Sequence, residues 1–553
     1  MARRSRPTFW HMCEPPTRGA AAARQSWRER LEGWSAAASS DGSALPGVVY
    51  VVVALKLVLY VYVFERWARA AAPLLSEEFF RRFLVYNALG DVLGANATWG
   101  PLAFRLKFPV VTWYNLLKPG TFCRPLVPGA PWRRRPWQCV GYLVLVALLV
   151  RALQKGAGPA EVRPAVALLA VLAPFDFVTF SALRGEHYGY MLVCCCFEES
   201  VAGCQLVQAA LWFFAGTSKW GPWFAHLNQF MMPNGLATML TDALGVLRYT
   251  DLYADHPRDR SPSKLVRRLA AFGCAAEMLL APLAMFAPRY GVPLALSFHA
   301  YIISMMPFAS VTEWNVACAY FCVFLFKEHP FDARAVIALD WRLQLFLAVV
   351  LFVVPVVGQL NPKRVPFLTA YRPYAGNWCF SWHVVAEAAV PKLDALDVLD
   401  GTVRTEKNAR FLWSANPDLC DQLEAYVTAL LLSLPGYRAL LPIVEELSGD
   451  RDVRVINQEA FCNHVFGHCL GTGYLVKDGY AAALAAACGF ERGECYLVVC
   501  EPAGLLDHTV EWYAVDVATG EKKVHGAAPY AALERLQPCA MTRAQLEEWS
   551  VLK

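Results

Sequence analysis

Long apolar runs, separated by short polar segments, dominate residues 46–360 of the chain. A helix that crosses a bilayer needs about 20 predominantly apolar residues. The runs therefore predict eight or nine membrane-spanning helices, drawn from 46–66, 79–104, 137–153, 162–183, 187–215, 265–286, 292–307, 311–326 and 343–357. The run 187–215 decides the number, because a straight helix of that length would measure about 43 Å against a hydrocarbon core of about 30 Å.

Prolines and charged residues mark where these runs break. Pro174 interrupts the run 162–183, and Glu198 with Glu199 marks the expected break in the run 187–215. The proline-rich stretch 108–132 predicts an interfacial loop with a short helix. The polar stretch 220–263 predicts a loop outside the membrane.

The pattern changes after residue 361. Residues 418–434 have the period of an amphipathic helix, and the short apolar segments 495–500 and 511–515 predict strands. The predicted fold is therefore an all-α polytopic membrane bundle followed by a small α+β C-terminal domain. The predicted divisions are a basic segment 1–45, a membrane domain 46–360, a linker 361–402 and a C-terminal domain 403–553.

Composition strengthens the membrane assignment. Hydrophobic residues make up 56% of the chain and charged residues only 18%, whereas soluble domains have about 45–50% apolar and about 25% charged residues. Aromatic residues reach 13%, as expected where Trp and Tyr line membrane interfaces. We therefore expect an integral, multi-pass membrane protein whose partners include membrane lipids. Composition does not identify the membrane, which would be an endomembrane or organelle membrane in a eukaryote.

The positive charges are clustered, although the net charge is only +5. Arginines are frequent in residues 1–35 and at 133–135, just before apolar runs. The positive-inside rule predicts that both clusters lie on the cytoplasmic or equivalent side. Both clusters flank predicted membrane spans, so no nucleic-acid partner is predicted. The start lacks the apolar core of a secretory signal peptide, while its arginine-rich, acid-poor composition also fits an organelle transit peptide.

The 18 cysteines do not form the pattern of a disulfide framework. Several lie inside apolar runs, where a free cysteine behaves as a small hydrophobe. Cys462, His464, His468 and Cys469 resemble a metal cluster, but no second ligand pair with matching spacing accompanies them. No metal site is therefore predicted, and no phosphate-binding loop or metalloprotease motif is present in the sequence.

Polar side chains inside apolar runs are costly and often mark function. Gln205, Gln208, Trp212 and Lys219 are separated by 3, 4 and 7 residues, which places them along one face of a helix. A buried lysine can serve as a base. A lysine at the end of a helix can equally extend its ammonium group to the interface.

Two histidines also fall in or beside apolar runs. His187 opens a run at a predicted membrane boundary, where it could be an interfacial histidine paired with Glu186. His299 lies within a run, and Glu313 on the following run could be its partner. Such a group is either a structural clamp between helices or part of a site.

The residues from Glu186-His187-Tyr188, through QLVQAALWFFAGTSKW, to SFHAYIISMMPF resemble the membrane core of the vitamin K-dependent γ-carboxylase superfamily. Its wider branch is the horizontally transferred transmembrane family. The superfamily pattern is an Asn-His-aromatic helix start, an aromatic-Phe-x-Ala-Gly-x-x-Lys helix end and a Phe-His on a later helix. Its lysine deprotonates reduced vitamin K. The resemblance implies that role for Lys219 and places His187 and His299 at the two family histidines.

The chain as a whole also resembles an uncharacterised family of actinobacterial and algal multi-pass membrane proteins. The segments that carry this likeness are spread over most of residues 45–540. They are Arg184-x-Glu-His, Ser218-Lys219, Glu313-Trp-Asn315, Tyr371-x-x-Tyr-Ala-Gly-Asn-Trp378, Cys488-Gly-Phe-Glu491 and Gln537-Pro538. This second resemblance implies no particular activity.

Two departures limit what the first resemblance implies. The first motif reads Glu186-His187 instead of Asn-His, and the C-terminal domain of about 150 residues does not resemble the large luminal portion of the carboxylase. Peptide carboxylation is therefore not predicted. The resemblance implies instead a lysine base that acts on a quinol or another lipid-soluble, weakly acidic molecule.

The leading hypothesis is a membrane-embedded enzyme that acts on a quinone-like or other lipophilic substrate, with a quinone or quinol as candidate cofactor. Lys219, His187 and His299 are the predicted catalytic residues. The predicted substrate-binding residues are Glu186, Gln205, Gln208, Trp212, Glu313 and Asn315. The alternatives are a non-catalytic lipid-binding or scaffold protein and a transporter, although the sequence shows no inverted repeat. The sequence identifies no protein partner.

Overall fold

The computed structural model describes residues 47–96, 99–100, 105–106, 110–255, 259–305, 311–396, 434–448, 452–457, 465–467 and 479–534. These residues form a mostly helical body and a five-stranded sheet near the C-terminus. The basic segment 1–45, the helix predicted at 418–434 (except its last residue) and the cluster at Cys462, His464, His468 and Cys469 lie outside the described residues.

The first half of the chain is helical apart from a two-residue strand pair. The elements are α1 (Gly47–Val63) with a π-helical extension (Phe64–Ala68), α2 (Glu77–Val92), β1 (Trp99–Gly100), β2 (Arg105–Leu106), α3 (Val110–Leu117), α4 (Pro136–Gln154), α5 (Pro159–Leu172), α6 (Phe177–Ala182), a π-helical turn (Gly185–Gly189), α7 (Tyr190–Cys194) and α8 (Ser200–Ser218).

Further helices follow up to residue 360. They are α9 (Trp223–Met231), a 3-10 turn (Met232–Asn234), α10 (Leu236–Ala243), a 3-10 turn (Tyr249–Leu252), the strands β3 (Tyr253–Asp255) and β4 (Asp259–Pro262), α11 (Lys264–Phe286), α12 (Pro288–Met305), α13 (Thr312–Cys322) with a π-helical extension (Val323–Glu328), α14 (Ala333–Ala338), α15 (Trp341–Ala348), a π-helical turn (Val349–Val353) and α16 (Val354–Leu360).

Three helical segments in the described part of the chain are long and apolar enough to cross a bilayer. They are Pro136–Gln154, Lys264–Phe286 and Trp341–Leu360, and each coincides with a predicted apolar run. Between 33% and 44% of each apolar window is buried inside the protein. The remaining apolar surface faces outward, as expected for helices in contact with lipid. The other predicted runs form shorter or interrupted helices.

The helices are interrupted at the two positions where the sequence predicted interruptions. Helix α5 ends at Leu172, just before Pro174, and α6 starts after Asp176, whose side chain accepts a hydrogen bond from the first turn of the helix. Between α7 and α8, Glu198 and Glu199 lie outside both helices. The apolar run 187–215 is therefore divided between a short buried segment and the 19-residue helix α8.

Residues 220–263 differ from their prediction as a loop, because they contain two helices and a hairpin. Helix α9 is almost entirely buried, and its apolar residues Trp223, Leu227 and Phe230 belong to a hydrophobic core shared with the sheet. Its polar residues His226, Asn228 and Gln229 are buried as well. The polar composition suggested exposure to water, but these side chains face other parts of the protein.

The sheet has the strand order β6-β5-β7-β8-β9 and is antiparallel throughout. Its strands are β5 (Phe380–Ala386), β6 (Val453–Asn457), β7 (Cys495–Cys500), β8 (Thr509–Asp516) and β9 (Lys522–Pro529). The accompanying helices are a 3-10 segment (Glu387–Leu396), α17 (Pro435–Arg438), α18 (Leu441–Ser448), α19 (Ala481–Cys488) and α20 (Tyr530–Leu533). The two predicted strands fall in β7 and β8, and β5 falls inside the segment 361–402 that was expected to be a linker.

The sheet covers one end of the helical bundle. The backbone N–H of Leu505 donates to the carbonyl of Gln359 at 3.0 Å, where α16 ends. Glu534, just after α20, forms an ion pair of 2.7 Å with Arg267 in the first turns of α11. The rings of His508 and Tyr530 pack against Trp223 on α9. The sheet therefore lies at the end of the bundle where α16 finishes and α11 begins.

Candidate functional site

A cavity of about 130 Å³ lies among helices α8, α9, α11, α12 and α13. A cavity of about 150 Å³ is large enough for a benzene-sized molecule. Most of the wall is apolar and aromatic, with Phe224, Met231, Phe298 and Met305 among the contributors. At the rim, Leu269 and Tyr301 are 37% and 42% exposed, on helices whose outer faces are apolar. The cavity therefore combines a lipophilic interior with a rim on the outer surface of the bundle.

Lys219 and Glu277 supply the charged part of the cavity wall. The ammonium group of Lys219 forms an ion pair with Oε2 of Glu277, and the two side chains are only 10% and 7% exposed. The Lys219 ammonium also lies 5.6 Å from the centre of the Phe224 ring. The lysine therefore neither extends to the interface nor stands alone in an apolar pocket, because a carboxylate balances its charge.

Gly216 explains why these two charges meet. It lies one turn before Lys219 on α8, where a Cβ atom would come within 2.7 Å of the backbone nitrogen of Met278. Only glycine permits so close an approach of α8 to α11 without displacing one backbone. This approach brings Glu277, the neighbour of Met278, into contact with the end of α8.

Glu277 was missed by the sequence reasoning, although the sequence carries a signal for it. It is the one acidic residue in the 23-residue apolar helix α11. An ionisable residue within a membrane-spanning segment is a functional-site hypothesis by default, with an oppositely charged partner expected nearby. The position of that partner 58 residues earlier in the chain could not be read from periodicity.

His299 lines the same cavity, and both of its ring nitrogens are engaged. The indole N–H of Trp212 donates to Nε2 at 3.1 Å. The Nδ1 atom lies 2.8 Å from Oδ1 of Asn315. Because Nε2 accepts a hydrogen bond, the proton is on Nδ1 and the imidazole is neutral. The expected pairing of His299 with Glu313 is wrong, since Asn315 and Trp212 occupy both nitrogens and Glu313 pairs with Lys56 at 2.8 Å.

His187 lies just behind the cavity wall and also bonds to one indole and one amide, but the roles of its two ring nitrogens are exchanged relative to those of His299. Its Nδ1 accepts a hydrogen bond of 2.9 Å from the indole N–H of Trp314, and its Nε2 donates to Oε1 of Gln208 at 3.1 Å. His187 is fully buried, and its expected pairing with Glu186 is wrong because Trp314 and Gln208 occupy both ring nitrogens. Trp314 lines the cavity and thereby links His187 to it, while His187 itself is outside the lining.

The remaining predicted site residues divide into two groups. Trp212 and Asn315 line the cavity, whereas Glu186, Gln205, Gln208 and Glu313 are outside its lining. Gln205 donates to the carbonyls of Leu325 and His329 at 2.6 and 2.7 Å and so fixes the end of α13 against α8. The structure therefore brings together Lys219, His299, Trp212 and Asn315 around one space. Gln205, Gln208 and Glu313 instead contact neighbouring elements.

Comparison with models of known protein families gives a match over most of the chain. A family model described as "Transmembrane protein of unknown function (DUF3556)" matches residues 14–539.

The chain belongs to this family.

The match covers nearly the whole chain, so the bundle and the sheet both fall within the DUF3556 region. The family description and the three long apolar helices agree that this is a membrane protein. No curated protein and no solved structure matched the chain.

The cavity of this DUF3556 chain brings charged, polar and aromatic side chains to one space. Its lining contains an ion pair, a neutral imidazole held by two partners, and aromatic walls. Asn228, from α9, adds an amide to the same wall. Within the described ranges, no group of three or more His, Cys, Asp or Glu residues is arranged to hold a metal ion.

Proposed function

We propose that this protein is a multi-pass membrane enzyme that binds a lipophilic, weakly acidic molecule, such as a reduced quinone, and removes a proton from it. The observation that carries the proposal is a buried ion pair, Lys219 with Glu277, in the wall of a mostly apolar cavity. Buried ion pairs contribute little to stability compared with apolar residues of the same size. A pair that faces an internal space is therefore better explained by chemistry at that space.

The proposed step is a proton transfer from a substrate hydroxyl to the pair. The carboxylate of Glu277 takes the proton and becomes a carboxylic acid, and the O–H bond of the substrate breaks to leave an oxyanion. The ammonium group of Lys219 then stabilises that oxyanion, because its former partner is now neutral. Lys219 and Glu277 act together, so the base is the pair and not the lysine alone.

In this proposal, His299 and His187 position the walls of the cavity. Each imidazole accepts a hydrogen bond from an indole N–H and donates its own proton to a side-chain amide. Taking up a second proton would break the bond from the indole, so these histidines serve better as fixed supports than as proton carriers. Trp212 and Asn315 hold His299, while Gln208 and Trp314 hold His187.

The resemblance to the γ-carboxylase superfamily supports the same location for the chemistry, because it assigns the base to Lys219. We further propose that residues 46–360 form a multi-pass membrane domain with eight or nine crossings, in contact with membrane lipids. The outward-facing apolar side chains of α1, such as Leu55, Val58 and Leu59, support an additional crossing at 46–66. The C-terminal domain would then begin at β5 and not at residue 403.

The test is the air oxidation of a reduced quinone by the purified, full-length protein. Removing a proton from a quinol makes the resulting anion easier to oxidise, so dioxygen converts it to quinone and is itself reduced to hydrogen peroxide. We expect the wild type to accelerate quinone formation, and Lys219→Ala and Glu277→Gln to lose that acceleration. Lys155→Ala is the matched control, because Lys155 is exposed at the end of α4.

Equal rates in the wild type and Lys219→Ala would overturn the proposal. A second function, lipid binding without turnover, is favoured by one observation: the polar groups of Trp212, His299 and Asn315 are already bonded to each other. Binding of the quinol without any acceleration of its oxidation in the wild type would support that function instead.

A further inference from the structure

Asn228 places a side-chain amide in the wall of the cavity. Asn228 is 7% exposed, and its side chain makes no hydrogen bond to any part of the chain that the structure describes. A buried amide without a partner costs free energy, and such groups nearly always bond to protein, water or a ligand. Because this one lines a cavity, the partner it lacks is a molecule in that cavity.

Glu277 offers a second unused position beside it. Lys219 binds Oε2 of Glu277, and the structure gives Oε1 no hydrogen bond among the described contacts. Oε1 is not fully enclosed by protein, and Glu277 lines the cavity. An ionised carboxylate oxygen accepts hydrogen bonds and cannot donate them. A ligand group at this position must therefore be a hydrogen-bond donor.

Several other polar groups around the cavity make no such demand. Trp212 and Asn315 bond to His299, Trp314 bonds to His187, and the amide nitrogen of Asn315 donates to the carbonyl of Val311 at 2.8 Å. They are satisfied within the protein, so a ligand needs no polar groups to match them. Among the buried polar groups of the wall, the binding requirement therefore falls on Asn228 and the Lys219–Glu277 pair, while the hydroxyl-bearing Tyr301 lies at the exposed rim.

We propose that the cavity selects an uncharged lipophile through one hydroxyl group and excludes lipid anions. A hydroxyl can donate to Oε1 of Glu277 and accept from the amide of Asn228 at the same time. A carboxylate or a phosphodiester has no O–H to donate, and its charge would meet the carboxylate of Glu277 while the charge of Lys219 is already balanced. The apolar remainder of the ligand fits the aromatic wall and leaves the cavity past Leu269 and Tyr301.

This inference rests on the cavity used in the proposed function, but it concerns binding and requires no turnover. The experiment is a competition assay on the full-length protein in lipid nanodiscs with tritiated dodecan-1-ol as the bound probe. The competitors are unlabelled dodecan-1-ol, dodecyl methyl ether and dodecanoate, which share one chain and differ in the head. We expect the alcohol to compete at about tenfold lower concentration than the ether or the acid, because a lost hydrogen bond to a charged group costs at least that factor.

Two variants make the test specific to the proposed contacts. In Glu277→Gln the lysine keeps its charge and loses its counter-charge, so dodecanoate should now compete about tenfold better than dodecan-1-ol. In Asn228→Leu the alcohol should lose its advantage over the ether, while dodecanoate stays weak because the ion pair is intact. General damage to the fold would not reverse the preference between alcohol and acid in Glu277→Gln while only removing the preference for alcohol over ether in Asn228→Leu.

Three outcomes would overturn the inference: wild-type protein that prefers dodecanoate, wild-type protein that does not distinguish the three heads, or Glu277→Gln that folds and still prefers the alcohol. If Glu277→Gln does not fold, the order of the three probes on the wild type and on Asn228→Leu decides. Selective alcohol binding without quinol oxidation would contradict the proposed enzyme activity and leave this inference standing. Quinol oxidation without head-group selection would contradict this inference and leave the proposed enzyme activity standing.

Discussion

The ammonium group of Lys219 and the carboxylate of Glu277 join the end of α8 to the middle of α11 across the cavity wall. The two residues are 58 positions apart in the chain and both are buried. Each charge is tolerated there because the other balances it. The consequences can be measured as stability as well as activity.

Removing either member of the pair alone should destabilise the protein strongly. Lys219→Met leaves a carboxylate buried without a counter-charge, and Glu277→Leu leaves an ammonium group in the same condition. Each single variant should cost about 3–5 kcal/mol of unfolding free energy. The double variant should cost clearly less than the sum, since no unbalanced charge remains. Denaturant unfolding in detergent measures all four proteins, and strictly additive costs would contradict the coupling.

The close approach of α8 and α11 at Gly216 gives a second prediction. Gly216→Ala places a Cβ atom within 2.7 Å of the backbone nitrogen of Met278, so the helices must separate. The expected cost is about 1–3 kcal/mol. The control is Gly273→Ala on α11, where a Cβ atom meets nothing within 4 Å. That variant should be neutral or stabilising by up to about 1 kcal/mol, because alanine favours helix. Equal melting temperatures for the two variants would contradict the close contact.

The bond from Trp212 to His299 can be tested by removing one donor. Trp212→Phe keeps an aromatic ring and deletes the indole N–H, which leaves Nε2 of His299 without its partner. An unsatisfied buried acceptor costs about 1–3 kcal/mol. The matched control is Trp137→Phe, because Trp137 is 41% exposed on α4. A cost no larger than that of the control would show that the bond does not hold His299.

The buried His383 in the sheet predicts a pH dependence of stability. Burial lowers the pKa of His383 from its ordinary value of 6.5 to about 3. The unfolded chain therefore binds a proton below pH 6.5 that the folded protein does not bind, and stability falls as the pH drops from 6.5 towards 3. Between pH 6.5 and 4.5 the loss from this residue should reach about 2–3 kcal/mol.

The measurement compares thermal unfolding of the wild type and His383→Gln across that pH range. The variant should be less stable at neutral pH, and its stability should depend less on pH. His508→Gln is the control, because His508 is exposed in the loop before β8. A wild-type profile that His383→Gln leaves unchanged in slope would rule out His383 as the cause.

Glu186 and Asp91 are buried carboxylates of the bundle with different surroundings. Among the residues that the structure describes, Oε2 of Glu186 has no hydrogen-bond partner, whereas Asp91 pairs with Arg184 at 2.7 Å. Glu186→Gln should therefore be neutral or stabilise the protein by up to about 1 kcal/mol, since a buried charge is lost without breaking a pair. Asp91→Asn breaks an ion pair and should cost about 3 kcal/mol. Unfolding midpoints in the opposite order would contradict this difference.

Much of the fold could be predicted from local pattern. The apolar runs at 137–153, 265–286 and 343–357 correspond to the three long apolar helices, since the length and composition of a membrane span are local properties. The breaks near Pro174 and at Glu198 also followed from single residues. The helix α9 did not, because its polar residues are buried only through contacts with distant elements.

By itself, the sequence determined that this is a membrane protein with a C-terminal sheet, and it placed Lys219, Trp212, His299 and Asn315 among the candidates that do line one cavity. Tertiary structure alone decided which partners these side chains have. Glu277 and Asn228 line the cavity although they were not among the predicted site residues. Glu313 was predicted there but lies outside the lining and pairs with Lys56. The physical reason is that hydrophobic periodicity describes which face of a helix is buried, whereas an ion pair or a hydrogen bond depends on how that helix is packed against others far along the chain.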